Sequence, residues 1–104
     1  MAIADNLIKN LSNIVGFPNY NKKIHTINEA GSTWKATENC WAICSIFNDH
    51  ATYAANVSIN NVAVAQAMAG KTQTITMLPI AKGQTIRTRA DVGTYTISIY
   101  ECYK

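Results

Sequence analysis

The stretch from Asn56 to Ala65, Asn-Val-Ser-Ile-Asn-Asn-Val-Ala-Val-Ala, constrains the fold of this chain more than any other. Val57 and Ile59 alternate with polar residues, Val62 and Val64 alternate with alanines, and Asn60-Asn61 separates the two runs. A period of two sends Val57 and Ile59 to one face of a strand and Ser58 to the other. Asparagine tolerates positive φ better than most residues other than glycine. An Asn-Asn pair therefore suits the two-residue type I′ turn whose twist matches a hairpin. An antiparallel sheet is expected.

One segment has helical periodicity instead. Across residues 2–15, Ala4, Ile8, Leu11 and Val15 follow a 4-3-4 spacing that Leu7 and Ile14 widen, with Asn6, Lys9, Asn10, Ser12 and Asn13 opposite. Gly16 stands where a helix C-terminal glycine belongs, and Pro18 blocks continuation. A lone helix this short is marginal in water. Its stripe must either dock on the β domain or meet copies of itself as the end of a coiled-coil stalk. Phe17 to Asn21 reads as a turn-rich connector, which divides the chain into residues 1–22, helix and connector, and residues 23–104, a β domain.

Short strands follow at Lys23–Asn28 and, after Gly31, at Thr33–Ala36. Cys40 to Phe47 is apolar on both faces, as in a strand covered on both sides, one cover being a neighbouring subunit. Past the hairpin, Thr72–Leu78 is a strand that Pro79 should end, and Gly83 lies in a tight turn. Thr85–Ala90 and Thr94–Tyr103 complete the set, with Tyr95, Ile97 and Ile99 facing in and Thr96 and Ser98 out. Strands at about 8 to 12 residue spacing without intervening helices predict an all-β, jelly-roll-like antiparallel sandwich.

With 104 residues there is room for one core. Only 14% of residues are charged, against about 25% for a typical domain. Some surface is therefore expected to be covered by another chain, unless abundant Asn and Thr supply the polarity of a monomer. The net charge of +3 is scattered, and Lys22-Lys23 is the one adjacent basic pair. Nucleic-acid binding would need clustered Lys and Arg with interleaved aromatics and is not expected. Cys40 and Cys44, in one strand, would stand about 13 Å apart, beyond the reach of a disulfide. Cys102 can approach one of them only across the sheet, so buried free thiols in a reducing cytosol are expected. The start lacks the basic and apolar regions of a signal peptide, and no run nears the ~20 apolar residues of a membrane span. A soluble protein without membrane insertion is expected.

Three pieces carry a resemblance. Trp34-Lys35-Ala36-Thr37-Glu38-Asn39-Cys40-Trp41 is similar to a "tyrosine or tryptophan, x, alanine, x, glutamate or asparagine, glycine" lead into the first long strand. Val57-Ser58-Ile59-Asn60-Asn61-Val62 is similar to a "Val-x-Ile-Asn-Gly-Val" hairpin. Leu78-Pro79-Ile80-Ala81-Lys82-Gly83-Gln84-Thr85-Ile86 is similar to "Leu-Pro-Val-x-Lys-Gly-Asp-x-Ile". Over about residues 33–104 the set resembles the C-terminal, receptor-binding head domains of bacteriophage tail-fibre proteins. Those are jelly rolls akin to the tumour-necrosis-factor and complement C1q folds, and they assemble as trimers. The sequence departs from the pattern at Asn61, where glycine is usual, and at Cys40. It also has only a short helix ahead of the head where a fibre has a long shaft.

The motifs are structural and specify fold better than activity. No catalytic constellation emerges. Asp49-His50 beside Ser45 lacks nucleophile-elbow glycines, Cys40 and Cys44 lack the knuckle of a zinc site, and six dispersed acids do not form a glycosidase pair. A metal held by three His25 or three His50 side chains around a trimer axis is a sharper idea without a supporting motif. Arg87 and Arg89 share a strand face, either as solvated charges or as the lining of a groove for acidic sugars. Trp34 and Trp41 are expected in the core or an interface rather than as sugar platforms.

The resemblance implies a non-enzymatic, cofactor-free homotrimeric head on the virion tail, assembled in the host cytoplasm. It would attach to a bacterial surface glycan or protein through loops at Asn48–Tyr53, Gln66–Thr72 and Asp91–Gly93, with threefold avidity. Candidate contacts are Asn48, Asp49, His50, Tyr53, Gln66, Lys71, Arg87, Arg89 and Asp91. The alternative is a structural or capsid-decorating protein of the same fold that binds other virion proteins.

Overall fold

The computed structural model describes residues 15–104. The helix expected over residues 2–15 lies outside them except for Val15, which is in a turn with Gly16. Eight strands follow: β1 (Pro18–Ile27), β2 (Thr33–Lys35), β3 (Cys40–Asn48), β4 (Ala55–Ile59), β5 (Val62–Ala67), β6 (Thr72–Ile80), β7 (Thr85–Thr88) and β8 (Thr94–Cys102). They form two four-stranded sheets, ordered β1-β8-β3-β6 and β2-β7-β4-β5, and every pairing is antiparallel. The chain is all-β among the described residues, with its two sheets in a sandwich-like arrangement.

Alternation decides the interior. Cys40, Ala42, Cys44 and Ile46 of β3 and Tyr95, Ile97 and Ile99 of β8 all point inward and are buried, as the period of two requires. Val57 and Ile86 come from the second sheet. Each fully buried Ile or Val contributes roughly 1.5–3 kcal/mol by leaving water. Ala55, Ala65 and Ala67 fill the space left around these larger side chains.

The hairpin turns as expected, with Asn60 at φ 50° and Asn61 at φ 67°. Its second strand does not simply continue the alternation. Ser58 pairs with Ala63 and Val57 with Ala65, so Val64 is an extra residue in a β-bulge. The bulge turns Ala65 and Ala67 inward and leaves Val62 exposed, 62%. Edge strands often carry such bulges, which blunt pairing with other chains.

Two expectations are corrected. Phe17–Asn21 is not a connector: from Pro18 onward it is the first part of β1, paired with β8. The turn-like composition is real but local. Between the pairs Pro18–Cys102 and Lys23–Tyr100 the register shifts, and the Asn21 N–H donates to Asn19 Oδ1 inside the resulting bulge. Pro79 likewise does not end β6, which runs on to Ile80. As the edge of its sheet β6 has a side with no ladder to break, and there a proline is tolerated.

The three cysteines are free, with Cys40 and Cys44 buried. Burial pushes the Cys40 thiol up to about 11 and Cys44 to about 12, from an ordinary 9.0. The folded state therefore holds these protons more tightly than the unfolded chain. That stabilisation is complete below about pH 9 and is lost as pH rises through about 11 to 12. Urea unfolding should accordingly show stability falling above about pH 9, by up to about 1.4 kcal/mol per pH unit for each thiol. Cys44→Ala should flatten that fall; an unchanged slope would contradict it.

Candidate functional site

The antiparallel order places the β1–β2, β3–β4, β5–β6 and β7–β8 loops at one end of the sandwich. Hydrogen bonds tie them together there. Asn48, at the end of β3, donates through Nδ2 to the carbonyls of Tyr53 (2.8 Å), Ala67 (3.1 Å) and Met68 (3.0 Å), while its Oδ1 accepts the His50 N–H at 2.9 Å. The Gly70 N–H donates to the His50 carbonyl at 2.8 Å. On the β1–β2 side, buried Thr88 donates to the Glu29 carbonyl at 2.7 Å and accepts the Ser32 N–H at 2.9 Å.

His50 is committed to its own loop. Its Nδ1 accepts the N–H groups of Thr52 and Tyr53 at 3.0 and 3.1 Å, and its ring lies 5.0 Å from that of Tyr53. The hydrolase arrangement does not form around it: Ser45 lies on β3, its Oγ accepting Gln73 Nε2. His25 stacks on Trp34 at 4.8 Å, across the edges of the two sheets. No group of three or more His, Cys, Asp or Glu among the described residues could hold a metal.

The expected contact residues therefore separate. Asp49, Tyr53, Lys71 and Asp91 are exposed on the loops of this end. Asn48 is fully buried and cannot touch a receptor; it holds the loops in place instead. Exposed Met68, which the sequence does not single out, joins Tyr53 at this end. Arg89 lies with its guanidinium 5.3 Å from the Tyr53 ring centroid, and its Nη1 donates to the Ala54 carbonyl at 2.9 Å. Gln66 and Arg87 lie on β5 and β7, each one residue before its strand ends at these loops, and Gln66 Nε2 donates to Met68 Sδ at 3.0 Å.

Arg87 faces outward from the second sheet, in a row across three strands: Arg87 opposite Ser58, and Ser58 opposite Ala63. Alanine and serine make a low floor beside the two arginines. The resulting depression, about 440 Å³, is walled by Asn56, Asn61, Arg87 and Arg89. A second, about 320 Å³, adjoins it and shares Arg87 and Asn61. Trp34 and Trp41 line neither: Trp34 packs on the core, and Trp41 Nε1 donates to the Gly16 carbonyl at 2.7 Å.

No protein-family model, curated protein or solved structure matches this chain.

Proposed function

We propose that this chain is a phage-type receptor-binding head: a jelly roll that assembles as a homotrimer on the virion tail and attaches to a host surface glycan or protein without catalysis. The pairing β1–β8, β2–β7, β3–β6 and β4–β5 supports the jelly-roll reading, since it is what one long hairpin gives when rolled into two sheets.

The observation that carries the assembly is the outer face of the first sheet. Across β8, β3 and β6 it bears Thr96, Ser98 and Tyr100, then Trp41, Ile43, Ser45 and Phe47, then Ile75, Met77 and Pro79, an uncharged patch that Lys23 of β1, opposite Tyr100, borders. Ile75 is 69% exposed, Met77 45% and Phe47 41%. Aromatic and methionine side chains without charge are the composition of an interface core. Sister chains on this face leave the loop end clear to contact a surface three times over.

Light scattering should give the mass of three chains at micromolar concentration. Ile75→Glu combined with Met77→Glu should yield a folded monomer, because an unpaired buried carboxylate costs several kcal/mol per interface. Whole-cell binding by the trimer, lost in that monomer, is the functional readout. A monomeric wild type would end the trimer reading. A trimer that ignores every cell surface tried would favour the virion-decorating role.

A further inference from the structure

We infer that the two adjoining depressions on the outer face of the second sheet form one groove for an anionic sugar chain, with Arg87 at its centre; this rests on the attachment reading and names its ligand class. Arg87 lines both depressions, so a ligand spanning them passes over its guanidinium. Arg89, two residues on and just past the end of β7, lines the first depression with it and adds a second cation. Its tether to the Ala54 carbonyl and its place beside the Tyr53 ring hold it ready rather than free to rotate.

The chemistry of the wall is one-sided. It holds guanidinium, carboxamide and hydroxyl groups and not a single carboxylate. The ion pairs among the described residues use Lys104 with Glu38 and Glu101, so neither arginine is neutralised by a carboxylate. A guanidinium fork matches the paired oxygens of a carboxylate or phosphate, while Asn56, Asn61 and Ser58 offer donors and acceptors suited to ring hydroxyls. Each depression, at about 440 and 320 Å³, falls by itself in the usual range for ligand sites, and the open floor at Ala63 and Ser58 admits a chain entering from the side. Neutral glycans would leave both charges without an anion to offset them, so the charge on the sugar is the selected feature.

Isothermal titration of the assembled protein with a uronic-acid trisaccharide, a hexose phosphate and maltotriose tests this. The uronate is expected to bind, several-fold more weakly at high salt, and maltotriose to bind at least tenfold more weakly. Tighter binding of the hexose phosphate would equally support an anionic ligand and would name phosphate as its source. Arg87→Ala should lower anion affinity at least tenfold, and Arg87→Lys by several-fold, because the charge stays but the fork is lost. Lys22→Ala, on the other sheet, should change nothing. Equal affinity for maltotriose, no binding of either anion, or an indifferent Arg87→Ala would overturn the inference. Cell attachment separates the two readings. Attachment that survives Arg87→Ala sinks this groove alone, whereas anion binding without attachment leaves the groove and sinks the receptor-binding role.

Discussion

Asn48→Asp is expected to lower the stability of this protein by about 4 kcal/mol at neutral pH, a large share of the roughly 5–15 kcal/mol that a domain possesses. The Asn48 side chain is fully buried, and its amide nitrogen faces three carbonyl oxygens. An ionised carboxylate would face the same oxygens with no proton to give them. A buried acceptor set stripped of its donor loses the full desolvation cost, beyond the modest net value of the hydrogen bonds themselves. Protonating the new carboxyl restores one donor, so the loss should be smaller near pH 4 than near pH 7. Urea unfolding followed by tryptophan fluorescence measures both. An equal loss at the two pH values would show that charge at this position is immaterial. Asn48→Ala should cost less, about 2–3 kcal/mol, since it removes the donor without adding charge.

Gly93→Ala should cost about 3 kcal/mol, from two sources that a control can separate. Gly93 has φ +94°, where a side chain is strained by roughly 1 kcal/mol. A methyl group there would also come within 2.6 Å of the Ala55 Cβ and 3.1 Å of the Tyr95 ring and hydroxyl. Tyr95 cannot step aside cheaply, being buried with its hydroxyl donating to the Val92 carbonyl at 2.7 Å. Overpacking of this kind adds typically 1–3 kcal/mol. Gly70 has φ +101° with open space around its Cβ position, so Gly70→Ala should show the strain alone. If the two variants lose equal stability, the close approach contributes nothing. Because Gly93 lies in the β7–β8 loop, the first variant should also loosen the loop end where Tyr53 and Asp91 are exposed.

How far the site can be read in the chain depends on which interactions are local. The Asn60-Asn61 turn was legible because its backbone geometry is a property of two adjacent residues. So was the outward side of Arg87, between buried Ile86 and Thr88. The strand expected to run to Ala90 instead ends at Thr88, and Arg89, just past it, lines the same depression. Asn48 reads in the sequence as a polar loop residue, and the structure buries it. Three of its partners, at Tyr53, Ala67 and Met68, are brought together only by the sandwich. Asn56, Ser58 and Asn61 carry no motif, and they join the arginines only because β4 lies beside β7.

The residue pattern by itself determined that the chain would be all-β beyond residue 22, which faces of β3 and β8 would be buried, and where the central hairpin would turn. These follow from the period of two and from the φ preferences of single residues, both short-range. Tertiary structure alone decided that β1 begins at Pro18, that β6 carries Pro79 as an edge, that a bulge reverses the faces of β5, and that Asn48 is buried beneath the loops it joins. The bulge arises within the β4–β5 hairpin; the others depend on which strand lies alongside, and those neighbours are distant in sequence: β1 meets β8, and β7 meets both β2 and β4. A hydrogen-bonding edge or an occupied interior exists only once such partners have come together, so no window of neighbouring residues contains the information.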